Sequence, residues 1–108
     1  MNYNLPITKS GDTFDGITFN IEVNSVALDI TNSVIIMQLR QKNELKKELR
    51  TGSGLTITNG VGGIFQINAL IIDLLAGVYD YDIQIIFTDG TVKTYISGTW
   101  TITKDNVY

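Results

Sequence analysis

The chain has 108 residues, a formal charge of −3 and neither cysteine nor histidine. This composition excludes disulfide staples, thiolate or imidazole metal centres and every nucleophile–histidine pair, while a single domain of this length can still bury a core unaided. The eight Lys and Arg gather into no large basic face, so nucleic acid is not an expected partner.

The opening MNYNLPITKSGDTF lacks a basic segment followed by an apolar run, and no apolar stretch approaches the ~20 residues of a membrane span. No signal peptide and no membrane contact are expected, and the protein is expected to be made and kept in the cytoplasm, unless it leaves as part of something larger. From there the dominant period is two. Ile17, Phe19, Ile21 and Val23 alternate with polar residues, and Ile35, Met37 and Leu39 share one face of the next segment. The stretch from Arg40 to Gly52 carries most of the basic residues together with Glu44 and Glu48. As a helix it would set like charges at i,i+4, so a hairpin turning at Lys42-Asn43-Glu44 is preferred, sending Leu45 and Leu49 back beside Leu39. Its charged tip is read as solvated, with docking to an acidic partner the alternative.

Leu55 and Ile57, then Phe65 and Ile67, mark two further short strands. Leu70, Ile71, Leu74 and Leu75 break the period at helical spacing before Ala76-Gly77, which predicts one short helical turn capping the core. The breaks between segments are turn formers: Asn24-Ser25, Thr31-Asn32-Ser33, Asn59-Gly60, Gly62-Gly63 and Asp89-Gly90. With no linker, repeat or low-complexity tract, residues 1–108 are expected to form one all-β domain. Its predicted architecture is an immunoglobulin-like β-sandwich of about seven antiparallel strands, with the helical turn before the penultimate strand.

The last hairpin is the best specified. Asp89-Gly90 suits the centre of a type I′ turn, which would oppose Phe87 to Val92, Ile85 to Thr94, Ile83 to Ile96, Tyr81 to Gly98 and Tyr79 to Trp100. The inner face then carries Tyr79, Tyr81, Ile83, Ile85, Phe87, Val92, Ile96, Trp100 and Ile102, with the Tyr81 ring covering Gly98. The outer face carries Asp80, Asp82, Gln84, Lys93, Tyr95, Ser97 and Thr99. Asp80 and Asp82 stand roughly 6.5–7 Å apart on an extended chain, near the lower end of the carboxylate spacing of an inverting glycosidase, about 6.5–9.5 Å. Acid–base chemistry would need one of them desolvated, and calcium would need six or more converging oxygens. Neither demand is met on a flat wet strand, so no catalytic residue, metal site or cofactor is assigned. Tyr79, two residues after Gly77 at a strand start, is read as a tyrosine corner bonding backbone upstream, in preference to a sugar platform.

The runs GDTFDGITFNI, LDITNSVIIMQLR, NGVGGIFQI and LLAGVYDYDIQIIFTDGTVKTYISGTWTIT, with an acidic end containing valine, resemble in their order small immunoglobulin-like sandwich proteins of tailed bacteriophages and prophages. They are also similar to the N-terminal domain of phage upper-baseplate proteins. The resemblance extends from about Gly11 to Val107 and is most specific at Gly77 to Asp82 and Gly98 to Trp100. It implies a non-enzymatic virion part, associated with tail or baseplate, that self-associates or meets other virion proteins and has no catalytic residues to carry over. Because the chain stops at Tyr108, the further domains of longer relatives are expected to be absent.

The alternative is a carbohydrate- or protein-binding sandwich module. A sugar platform would rest on Tyr95, the one aromatic that this register puts on the wet face, with Tyr3 and Tyr108 near the termini. A hydrolase would rest on Asp80 and Asp82 alone, and a small-molecule ligand is not expected. For assembly, the final strand from Thr91 to Thr103 has Lys93 as its only charge before Lys104 and would be poorly defended if it lay at a sheet edge.

Overall fold

The computed structural model describes residues 2–104. Its first strand, β1 (Leu5–Lys9), is followed by the two-residue β2 (Thr13–Phe14), then β3 (Ile17–Asn20) and a small ribbon of β4 (Glu22–Val23) and β5 (Val26–Ala27). A long hairpin joins β6 (Val34–Gln41) to β7 (Glu44–Thr51), and β8 (Gly54–Asn59) leads to β9 (Ile64–Ile67) and the short β10 (Leu70–Ile71). The longest pair, β11 (Gly77–Ile86) and β12 (Val92–Thr103), closes the described chain.

Eight of these strands form one sheet in the order β1-β12-β11-β6-β7-β8-β9-β3, while β10 pairs with β2 and β4 with β5. The fold is all-β, and the large sheet curls over until its two ends face each other. Phe14 packs on Trp100 with ring centres 4.9 Å apart, and Tyr3 meets Phe19 edge-on at 5.6 Å. Between the layers lie the residues that period-two reading assigned inward, among them Phe19, Ile35, Met37, Leu39, Leu55, Phe65, Ile67, Ile83, Ile85 and Trp100, all buried. Aromatic and β-branched side chains suit this pleated, two-layered interior.

The turn chemistry explains the hairpins. Lys42 and Asn43 both take positive φ, 54° and 63°, as do Asn24 and Ser25, 53° and 66°. Two left-handed residues in succession make a type I′ turn, whose twist matches the flanking strands. The β6–β7 hairpin therefore turns where expected, but only Leu49 returns to the core. A bulge between Leu39 and Arg40 turns Leu45 outward.

Three expectations change. The helical turn over Leu70–Leu75 is not formed. Leu70 and Ile71 pair with Phe14 and Thr13 instead, the Ile72 N–H donates to the Asp12 carbonyl, and the Gly11 N–H donates to the Ile72 carbonyl. The alternation of buried Ile72 and Leu74 with exposed Ile71 and Leu75 is that of an extended chain laid against the N-terminal segment, whose backbone outcompetes a lone helical turn.

The last hairpin reaches its expected register only beyond Ile83. Asp89 does not take positive φ. The Gly90 N–H donates to the Phe87 carbonyl and the Phe87 N–H to the Thr91 carbonyl, a three-residue loop with Gly90 left-handed at φ 90°. Ile86 thus opposes Val92 and Gln84 opposes Thr94, and a bulge at Tyr95 restores the pairings Ile83–Ile96, Tyr81–Gly98 and Tyr79–Trp100. Val92, expected inside, lies outside as a result.

β12 is also not an edge. β1 runs parallel beside it, pairing Leu5 with Trp100 and Thr8 with Ile102. The cover over Gly98 is backbone: a Cβ there would strike the Tyr3 carbonyl, which accepts the Tyr81 hydroxyl hydrogen bond. The Tyr79 corner is present, its hydroxyl donating to the Leu75 carbonyl at 2.6 Å.

Candidate functional site

The outer face of β12, β11, β6 and β7 is the part of the molecule that collects the polar residues singled out from the sequence. Strand alternation turns Asp80, Asp82, Gln84 and Ile86 of β11 outward, and the ladder to β6 sets Arg40, Gln38, Ile36 and Val34 beside them in that order. Across β12 the corresponding residues are Thr99, Ser97, Thr94 and Val92. Beyond β6, Glu48 lies beside Gln38 and Arg50 beside Ile36.

The face is therefore graded along the strands. At one end Val34, Ile86 and Val92 form an apolar row, with Val34 40% and Val92 53% exposed, and half-buried Ile36 extends it. The middle is a polar ladder. The Gln38 amide donates to Glu48 at 2.9 Å, Arg50 reaches the same carboxylate at 3.2 Å, and Arg40 donates to the Gln38 carbonyl oxygen. The Gln38 hydrogen bond, with Arg50 adding to it, holds the Glu48 carboxyl below its ordinary range. Farther along, Asp80 stands next to Arg40 in the ladder, and among the described residues no side chain hydrogen-bonds or ion-pairs the carboxylates of Asp80 or Asp82.

Asp80 and Asp82 border a shallow hollow with Asn2, Asn4, Ser97 and Thr99. The Asn4 side-chain oxygen is already engaged by the Thr99 N–H at 3.1 Å. The hollow offers two carboxylates on an open sheet, where a hard cation wants six or more oxygens and an acid–base pair wants one carboxyl desolvated. Among the described residues no three His, Cys, Asp or Glu side chains converge in a way that could hold a metal ion.

Tyr95 is not on this face. As the bulged residue of β12 it turns toward the core, half-buried, with its ring edge-on to Phe87 at 6.3 Å. Tyr3 packs on Phe19, and Tyr108 lies outside the described residues. The sugar platform thus loses its one candidate ring. In the Arg40–Gly52 hairpin Lys46 meets Glu44 at 3.3 Å, Lys47 meets Asp73 at 3.2 Å and Arg50 meets Glu48 at 3.2 Å, while Lys42 at the turn is exposed and has no ion pair among the described residues. The neighbour that sequence reasoning missed is Arg40. The alternation from Val34 to Arg40 already put it on a shared face with Gln38 and Ile36, but its place beside Asp80 depends on which strand flanks β11.

No family model matches the chain, and no curated protein does. Among solved structures, CopC from Methylosinus trichosporium OB3b is similar, with a TM-score of 0.52 over 94% of this chain and 89% of that one, at 14% identity. Identity that low speaks to the fold alone. The comparisons overturn the resemblance to bacteriophage and prophage sandwich proteins and with it the virion, tail and baseplate role, because the matching structure is CopC and not a baseplate protein. The carbohydrate- or protein-binding alternative gains no support from them either. The physical reason lies in the motifs themselves. Tyr79 makes a corner, and Gly98 makes room for the Tyr3 carbonyl, so the runs that carried the resemblance specify strand crossing and register and not a place in a particle.

Proposed function

We propose that the chain is an immunoglobulin-like β-sandwich with a non-enzymatic role, and that it associates with copies of itself. The observation that carries this proposal is the contrast between the β1 edge and β7 rim and the outer face. The edge strand β1 contains Pro6 and ends in Lys9, and β7 carries Glu44, Lys46, Lys47 and Glu48 along a rim that is largely unpaired. Proline and charge of this kind protect an edge against strand addition. The outer face has no such protection at its apolar end, where Val34, Ile36, Ile86 and Val92 lie together in the ladder. Contiguous exposed apolar side chains rimmed by polar ones mark interaction surfaces. Against catalysis stand the lack of histidine and cysteine and the open setting of Asp80 and Asp82.

Light scattering behind size exclusion, run over a hundredfold range of concentration, tests this proposal. A mass that rises with concentration to a fixed multiple of 12.0 kDa is expected. A strict monomer at every concentration overturns it.

A further inference from the structure

The outer face is graded along the strands and polarised across them, and these two features together select a partner and a geometry. Along the strands, the apolar pair Val34 and Ile86 sits at one level on β6 and β11, with Ile36 beside the polar Gln84 at the next. Across the strands, the cation is on β6 and the anions are on β11: Arg40 lies beside Asp80, and Gln38 beside Asp82. Such a surface is complementary to itself along its whole length, apolar and charged levels together, under one operation. Turning a second copy about an axis parallel to the strands, running between β6 and β11, lays β6 of each copy over β11 of the other and keeps every level in place. The apolar row then meets the apolar row, Arg40 meets Asp80 and Gln38 meets Asp82. An axis lying across the strands through the middle of the face would instead bring Val34 onto Arg40 and Ile86 onto Asp80, desolvating charges against apolar side chains, and one at the apolar end would leave the charged levels outside the contact.

Resting on the self-association proposed above, we infer that two copies pack face to face through β6 and β11 about a two-fold axis parallel to the strands, with Arg40 of each copy paired to Asp80 of the other. Two sheets meet in this way about 10 Å apart with a modest crossing angle, within reach of an arginine and an aspartate extended from opposite sides. The interface is isologous, so each cross-pair occurs twice and the assembly closes at two. The carboxylate of Asp80, without a side-chain partner among the described residues of the single copy, finds one in the pair, and Asp82 finds the Gln38 amide, whose neutral donor adds no repulsion.

The test is a charge exchange read by sedimentation equilibrium on the full chain. Arg40→Asp and Asp80→Arg each place like charges at both cross-pairs of their own homodimer, and each is expected to weaken dimerisation at least tenfold. Mixed in equal amounts, the two variants regain opposite charges at both sites, so the mixture is expected to dimerise as the parent does. Circular dichroism and thermal melts check that each variant folds. Val92→Lys provides an independent arm, since it charges the apolar row away from the cross-pair and is expected to weaken the dimer as well. Failure of the mixture to recover, or dimers indifferent to all three changes, overturns this interface while leaving self-association standing. A parent that never leaves the monomer overturns both.

Discussion

Gly98 gives the sharpest test of how the N-terminal segment is held. The glycine has no unusual φ, so the need for it is steric: a Cβ would collide with the Tyr3 carbonyl. In Gly98→Ala the segment has two responses. If it stays, the site is overpacked, at a cost of about 1–3 kcal/mol. If it lifts away, the buried Leu5 side chain is exposed, a loss of about 1.5–3 kcal/mol. Besides the backbone bonds to β12, among them the one from the Tyr3 N–H to the Ser97 carbonyl, lifting breaks three hydrogen bonds that involve side chains, at roughly 1 kcal/mol each, offset in part by the freedom the freed backbone regains. Those bonds run from the Tyr81 hydroxyl to Tyr3, from the Thr99 N–H to Asn4, and from the Trp100 indole N–H to Thr8 at 3.2 Å. The cheaper route sets the loss at about 1–3 kcal/mol, and at ~4–8 °C per kcal/mol for a domain near this size the melting temperature falls by roughly 4–24 °C. Differential scanning fluorimetry gives the shift, and amide exchange across Leu5–Lys9 separates the two routes, because only lifting deprotects that stretch. Without an overlying segment, alanine in a strand should be better than glycine by about 0.5–1 kcal/mol. An unchanged or raised melting temperature would therefore show that residues 2–5 do not cross Gly98.

Trp100→Ala removes a fully buried ring packed at a tilt against Phe14 and should cost about 3–5 kcal/mol in urea denaturation; a variant as stable as the parent would place the indole outside the core. Tyr79→Phe leaves the Leu75 carbonyl without its donor and should cost about 1–2 kcal/mol by the same measurement, with no loss of secondary structure. Burial, with Tyr3 adding to it, pushes the Tyr81 phenol up to about 12 from an ordinary value of 10.0. The folded state then holds this proton more tightly than the unfolded chain does. Its contribution is fully present below pH 10 and lost as pH rises toward 12, so melting temperature should fall across that window and fall less steeply in Tyr81→Phe.

Period-two alternation from Ile17 to Val23, from Ile35 to Leu39 and from Tyr79 to Ile85 was enough to establish an all-β chain and most of its core, because a strand with one apolar face must bury that face. Asn24-Ser25, Lys42-Asn43 and Gly62-Gly63 announced their turns through the backbone conformations these residue types tolerate. The Tyr79 corner was legible too, since its hydroxyl reaches only four residues upstream. What the sequence left undecided was every choice made by a distant partner. Whether Leu70–Leu75 coils or extends depends on the Ser10 hydroxyl, the Gly11 N–H and the Asp12 carbonyl, some sixty residues away, that satisfy it. Whether β12 is an edge depends on β1 returning from the other end of the chain. One extra loop residue at Gly90 and one bulge at Tyr95 cancel beyond Ile83 but between them turn Val92 out and Tyr95 in, and such offsets leave no periodic trace because they fall within a few residues. The setting of Asp80 was decided in the same way. Its own strand showed a wet carboxylate, and only the tertiary choice of β6 as the flanking strand put Arg40 at its side and the apolar row at its far end, since side-chain periodicity says which face a residue takes and not which strand lies next to it.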